Sequence, residues 1–197
     1  MIHVTKASKT GKLQGIDSIN TSSLSNEFCQ KMADSHNSIC NNCYSNKLSK
    51  IYANLDIKLN YNSDLLSSGF ISLDKLPKIN SLVFRFSSYG ELINKTHFIN
   101  LLNITLINPQ TRFVLWTKRK DIVKNGLKNR PLPDNFKLIY SSPVKNKISK
   151  LPEYFSKVFT VFDKNQSIDI NCGGKKCINC MICYTDNSIV YVNEVIK

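Results

Sequence analysis

The chain has no apolar run of the roughly 18 residues needed to cross a bilayer. Its opening residues, among them Thr5, Lys6, Ser8, Lys9 and Thr10, carry no signal-peptide core. These absences argue against membrane insertion and predict a cytoplasmic protein. Glycine is scarce, at seven residues, leaving little room for a dinucleotide-binding fingerprint. Gly-x-Ser-x-Gly, a phosphate-cradling glycine-rich loop and His-Glu-x-x-His are all missing. Of three histidines, His3 and His97 belong to no constellation. Acidic residues number 14 against 27 Lys and Arg, a net charge of +13. No cysteine lies between Cys43 and Cys172.

What is present is concentrated at the two ends. Four cysteines form a ladder over residues 172–183, Cys172-x4-Cys177-x2-Cys180-x2-Cys183, and three more are Cys29, Cys40 and Cys43. Two-residue gaps let a chain wrap one ion or cluster and present successive sulfurs to it. A reducing cytoplasm and an odd total of seven favour thiolate ligands over disulfides. Consecutive short gaps in the ladder resemble the ferredoxin wrap around a 4Fe–4S cluster more than the paired knuckles of structural zinc. The N-terminal group, residues 29–43, leaves three arrangements open. It could be a cluster with one open iron, a zinc site of Cys29, His36, Cys40 and Cys43, or a site shared with the ladder. A Cys–His nucleophile pair with His36 fits this metal-like spacing poorly.

The 197 residues, 42% apolar and 21% charged, suit a single domain with a sizeable core. Apolar runs at 81–86, 112–116, 136–140 and 157–162 read as strands, with a further strand over 13–19. Helical spacing appears over 44–59, 91–107 and 118–127, and 64–69 reads as a short turn or helical piece. Alternation through 81–163 predicts an α/β fold with a mainly parallel sheet or partial (β/α) barrel, flanked by cysteine-rich metal-binding segments. Chemistry in such folds sits at the carboxyl ends of the strands. Those ends carry Ser87, Ser88 and Glu91, then Thr117 and Lys118, then Ser141 and Ser142, then Asp163.

From Arg112 to Lys150 eleven Lys and Arg face only Asp121 and Asp134, a balance of +9. That field favours a nucleic acid or nucleotide as partner. An AT-biased genome also enriches lysine, so charge alone does not decide the matter. Trp116, Tyr89 and Tyr140 lie among these cations as candidate stacking residues, although Trp116 ends an apolar run and also reads as core.

The elements Ser8-Lys9-Thr10-Gly11-Lys12, Cys40-Asn41-Asn42-Cys43-Tyr44, Arg85-Phe86-Ser87-Ser88-Tyr89-Gly90-Glu91, Leu115-Trp116-Thr117-Lys118 and the C-terminal ladder together resemble the gene product 88 family of bacteriophage proteins. Members of that family resemble a reduced radical S-adenosylmethionine (SAM) architecture. The resemblance implies that Cys29, Cys40 and Cys43 hold a 4Fe–4S cluster whose open iron chelates SAM. Ser88, Tyr89, Gly90 and Glu91 would lie near the cofactor, with Thr117, Lys118 and Ser141 on the same rim. It also implies a second, auxiliary cluster on Cys172, Cys177, Cys180 and Cys183, and residence in the host cytoplasm. The first cysteine gap is stretched to ten residues, and the aromatic Tyr44 follows the last cysteine. On this basis the chain reads as an iron–sulfur protein, radical-SAM-like and acting on a nucleic acid or nucleotide, with Lys118 and Arg119 contacting anions. The alternative is a non-catalytic module, stabilised by iron–sulfur or zinc, that binds nucleic acid or a host target.

Overall fold

The computed structural model describes residues 1–196. Seven strands form one sheet: β1 (Val4–Thr5), β2 (Ser18–Ile19), β3 (Val83–Phe86), β4 (Arg112–Thr117), β5 (Phe136–Ser141), β6 (Lys157–Phe162) and β7 (Tyr191–Val195). They lie side by side in chain order. Only β1 against β2 is antiparallel, and every later pair is parallel. The helices are α1 (Glu27–Ala33), α2 (Tyr44–Ile51), α3 (Ala53–Ser68), α4 (Lys95–Leu106), α5 (Lys120–Leu127) and the short α6 (Cys177–Cys180).

Strand order and side-chain alternation together decide what covers each face. Parallel neighbours joined in sequence by crossovers of one hand place their helices on a single side. Phe84, Phe86, Phe113, Leu115, Phe136 and Leu138 point to that side, with Leu66 of α3, Phe98 and Leu102 of α4, and Val123 of α5. The Phe86 and Phe113 rings stack at 5.2 Å, and Phe136 meets Phe86 edge-on at 5.6 Å. Each such buried ring stabilises the fold by about 1.5–3 kcal/mol. The opposite face receives Val83, Val114 and Ile139, and among the described residues no long helix covers it. It is closed instead by the C-terminal cysteine segment, through Tyr184, Met181, Cys177 and Cys183.

The α/β class and mainly parallel sheet expected from the alternation are borne out, and β6 has the expected bounds. Other expectations need correction. The helix expected over 44–59 breaks at Tyr52 (φ −112°, ψ 89°), and 64–69 falls mostly within α3 rather than forming a separate turn. Polar residues on the buried side of α3 hid the period. Asn62 bonds the backbone of His3 and Asn20, and Ser63 accepts from Ser22 N at 2.9 Å. The 13–19 strand shrinks to Ser18–Ile19, after a turn that ends with Ile16 N donating to Leu13 O. The segment 91–94 stays outside α4, whose cap is Asn94, so that Glu91 is free for the sheet rim.

His97 on α4 is 1% exposed, and burial pushes its pKa down to about 3 from 6.5. Its Nδ1 accepts from Ile93 N at 3.3 Å. A histidine held neutral in the folded state gives stability that is complete above pH ~6.5. That stability declines by about 1.4 kcal/mol per pH unit as pH falls toward the folded pKa. Urea denaturation is expected to lose about 2 kcal/mol between pH 7 and pH 5, a slope absent from His97→Gln.

Candidate functional site

The carboxyl end of β3 is shaped by backbone positions that need support from β2. Ser87 has φ 57° and Gly90 φ 73°, both left-handed. A Cβ at Gly90 would stand 2.3 Å from Thr21 O, so this close approach requires glycine. Asn20, just past β2 and 1% exposed, accepts from Ser88 N at 2.8 Å and Tyr89 N at 3.1 Å. These bonds aim Glu91, two residues beyond Tyr89, across the rim toward β4. Glu91 is 4% exposed and its carboxylate accepts from Leu92 N and Lys118 N, each at 2.8 Å, and from Thr117 Oγ1. Lys118 Nζ in turn reaches Ser141 Oγ at 3.4 Å. Glu91, Thr117, Lys118 and Ser141 therefore form one polar line over β3, β4 and β5.

The N-terminal cysteines are fastened over this line. Asn26 caps α1 through Phe28 N and Cys29 N, and its Nδ2 donates to Glu91 O at 3.0 Å. One asparagine thus locks the helix bearing Cys29 to the rim. Ser38 Oγ accepts from Cys40 N at 3.1 Å, and Ile39 N donates to Pro143 O at 2.9 Å, anchoring the Cys40 turn to the loop after β5. Tyr44 Oη donates to Ser88 O. Burial raises the Cys29 pKa well above the ordinary thiol range; the Glu91 carboxylate adds to this and Lys118 opposes it. Burial works against the Lys118 charge, yet Cys40, Glu91, Cys29 and Cys43 together hold its pKa up. The three cysteines, Lys118 and Glu91 are thus one electrostatic unit.

The ladder occupies the free face of the sheet. All four of its cysteines line a cavity of about 110 Å³, together with Lys12 and Tyr184. Lys12, from the Ser8–Lys12 segment, donates to Cys172 Sγ at 3.1 Å and pairs with Glu194 at 2.5 Å, while its carbonyl accepts from Cys177 N at 2.8 Å. Burial, with Cys172 and Cys177 nearby, pushes the Cys183 thiol up to about 12, against Arg85 and Lys157. Arg85 lies 4.0 Å over the Trp116 ring. Its Nε and the Tyr184 hydroxyl are buried without hydrogen-bond partners.

Among the described residues no three His, Cys, Asp or Glu side chains stand close enough to hold a single metal ion. The metal-binding character expected of the two segments is therefore not displayed as a preformed single-ion cage. His36 is exposed, and the Cys3His arrangement does not assemble. Nor does a shared site: the first group faces Lys118 and Glu91, the second Lys12, Arg85 and Lys157. The donor chemistry nonetheless suits an anionic thiolate-bound cluster. The ladder offers four soft sulfurs with Lys12, Arg85 and Lys157 nearby, and Arg85 has a buried Nε lacking an acceptor.

Several strand-end residues do not join the rim line. Ser142 spends its hydroxyl on Val144 O, Lys147 O and Ser149 within its own loop. Asp163 holds Lys145 and Asn146. Arg119, expected to contact anions, is tied to Asp121 at 2.7 Å and lies over Phe28. Tyr140 is 7% exposed against Phe155 and is not free to stack on a base. Trp116 is half-buried beside Tyr184, and Tyr89 is half-buried beside Tyr44. Sequence reasoning missed Asn20 and Asn26, and named Arg85 only as part of a motif, with no role. The one available signal was a charged residue, Arg85, inside an apolar strand.

Among the described residues no helix is long and apolar enough to cross a membrane. No curated protein and no solved structure matches the chain. A family model described as gene product 88 matches residues 3–191, nearly the whole length. The chain, with its rim cysteines and its ladder, belongs to the gene product 88 family.

Proposed function

We propose that this protein is a phage iron–sulfur enzyme of radical-SAM-like type, acting on a nucleic acid or nucleotide in the host cytoplasm. Cys29, Cys40 and Cys43 would hold a 4Fe–4S cluster at the rim, and Cys172, Cys177, Cys180 and Cys183 a second one on the free face. The observation that carries the reading is that the Cys29 helix and the Cys40 turn are hydrogen-bonded onto the Glu91–Lys118 rim and the loop after β5, at the carboxyl ends of consecutive parallel strands. When bound, a reduced cluster of this kind supplies the electron that cleaves SAM.

The chain's own residues have separable tasks. Glu91 organises the rim, because three donors already occupy its carboxylate, leaving room on Oε2 for an incoming amine. Ser88 Oγ, buried and unpartnered, is a hydrogen-bonding group still open to a cofactor. Lys118 balances thiolate charge from one side, and the Asn26 cap holds the α1 turn that bears Cys29 against Glu91. In the ladder, Lys12 and Arg85 supply the matching positive charge.

The test is 5′-deoxyadenosine release from SAM by anaerobically reconstituted, dithionite-reduced protein. Release by the wild type and its loss in Cys40→Ser are expected. Protein that carries a cluster yet leaves SAM intact would reject the enzyme and favour the metal-stabilised binding module.

A further inference from the structure

On the helical side, α4 and α5 leave an open groove of about 380 Å³ between them. It exists because Gly126 lets α5 sit directly on α4: a Cβ there would meet the Phe98 ring at 2.4 Å. Ile99 and Gly126 form its buried floor, while Phe70 stands at the edge, 70% exposed. Lys95, Lys128 and Arg130 line the same groove with Asn125 and Asn129, and no carboxylate is among the lining residues.

Two of these features suit a ligand. The Phe70 ring, 70% exposed at the groove edge, offers a face that a planar group can cover. Lys95 occupies the first position of α4, and the first turn contains no acidic residue. A cation there opposes the positive end of the helix dipole. Both make sense for an anionic, planar partner. The volume falls within the range of small-ligand sites and suits one nucleotide unit.

We infer that this groove binds a nucleotide unit of single-stranded nucleic acid. Phe70 takes the face of a base, and Lys95, Lys128 and Arg130 take the flanking phosphates. The groove uses no cysteine, so the inference stands or falls independently of the iron–sulfur reading. It adds to that reading a docking surface beginning four residues beyond Glu91, at Lys95.

Fluorescence anisotropy with fluorescein-labelled oligo(dT) and oligo(rU) 20-mers tests it, across a salt series and with unlabelled duplex as competitor. Phe70→Ala is expected to weaken binding about 5- to 30-fold, the loss of one stacked base. The double variant Lys128→Glu with Arg130→Glu is expected to weaken it at least about 10-fold and flatten the salt slope by about 2. A control with the same charge change elsewhere, Lys58→Glu with Lys164→Glu, should change affinity by less than about threefold. All these positions are exposed, so unchanged melting temperatures are expected throughout. Preference for dT or rU identifies DNA or RNA as the ligand, and either supports the groove. Equal affinity in groove variants and wild type overturns the inference. So does an equal loss in the control pair, efficient competition by duplex, or no binding of either probe.

Discussion

Glu91→Ala is expected to destabilise the protein by about 3–5 kcal/mol in urea denaturation. The substitution removes the acceptor for two backbone donors, Leu92 N and Lys118 N, and for the Thr117 hydroxyl, at a position only 4% exposed. Each buried donor left unpaired costs about 1–3 kcal/mol. Lys118 also loses a charge that supports its own. Glu91→Gln keeps one carbonyl oxygen but turns an amide toward a donor, so about half that loss is expected. A change below about 1 kcal/mol in the alanine variant would mean that Glu91 does not hold the rim together.

The second large effect concerns the cysteines. The two groups have separate neighbours, so each should lose its centre without the other. Cys43→Ser and Cys180→Ser are each expected to reduce bound iron from about eight to about four atoms per chain, and the double variant to abolish it. Loss at the ladder should also weaken the fold, because the half-buried Arg85 would face uncharged thiols with no acceptor for its buried Nε. If either single substitution removed all iron, the separation of the two groups would be wrong.

The legible parts of the sequence were those whose physics is local. Short aromatic and β-branched runs such as 112–116 and 157–162 announced β4 and β6, because strands covered on both faces are mostly apolar, with Lys157 and Thr160 the buried polar exceptions in β6. Cysteine spacing announced two groups for the same reason. What failed depended on distant partners. Tyr191–Val195 includes Asn193 and Glu194, and its strand identity comes from pairing with β6 rather than from composition. Helix α1 is seven residues long with no buried residue, so no periodic stripe marks it. The rim residues Glu91, Thr117, Lys118 and Ser141 were found because strand ends can be read in order. Asn20 and Asn26, which set their geometry, looked like ordinary loop asparagines. The ladder connects the parallel neighbours β6 and β7 yet covers the face opposite α3, α4 and α5, a placement that strand order did not announce.

The central claim is that both cysteine groups hold iron–sulfur clusters. Its most direct test is the iron, acid-labile sulfide and zinc content of anaerobically purified wild-type protein, with its absorption spectrum. About eight irons and eight sulfides per chain, with broad absorption near ~400 nm, are predicted. Colourless protein carrying zinc, or no metal after reconstitution, would contradict the account.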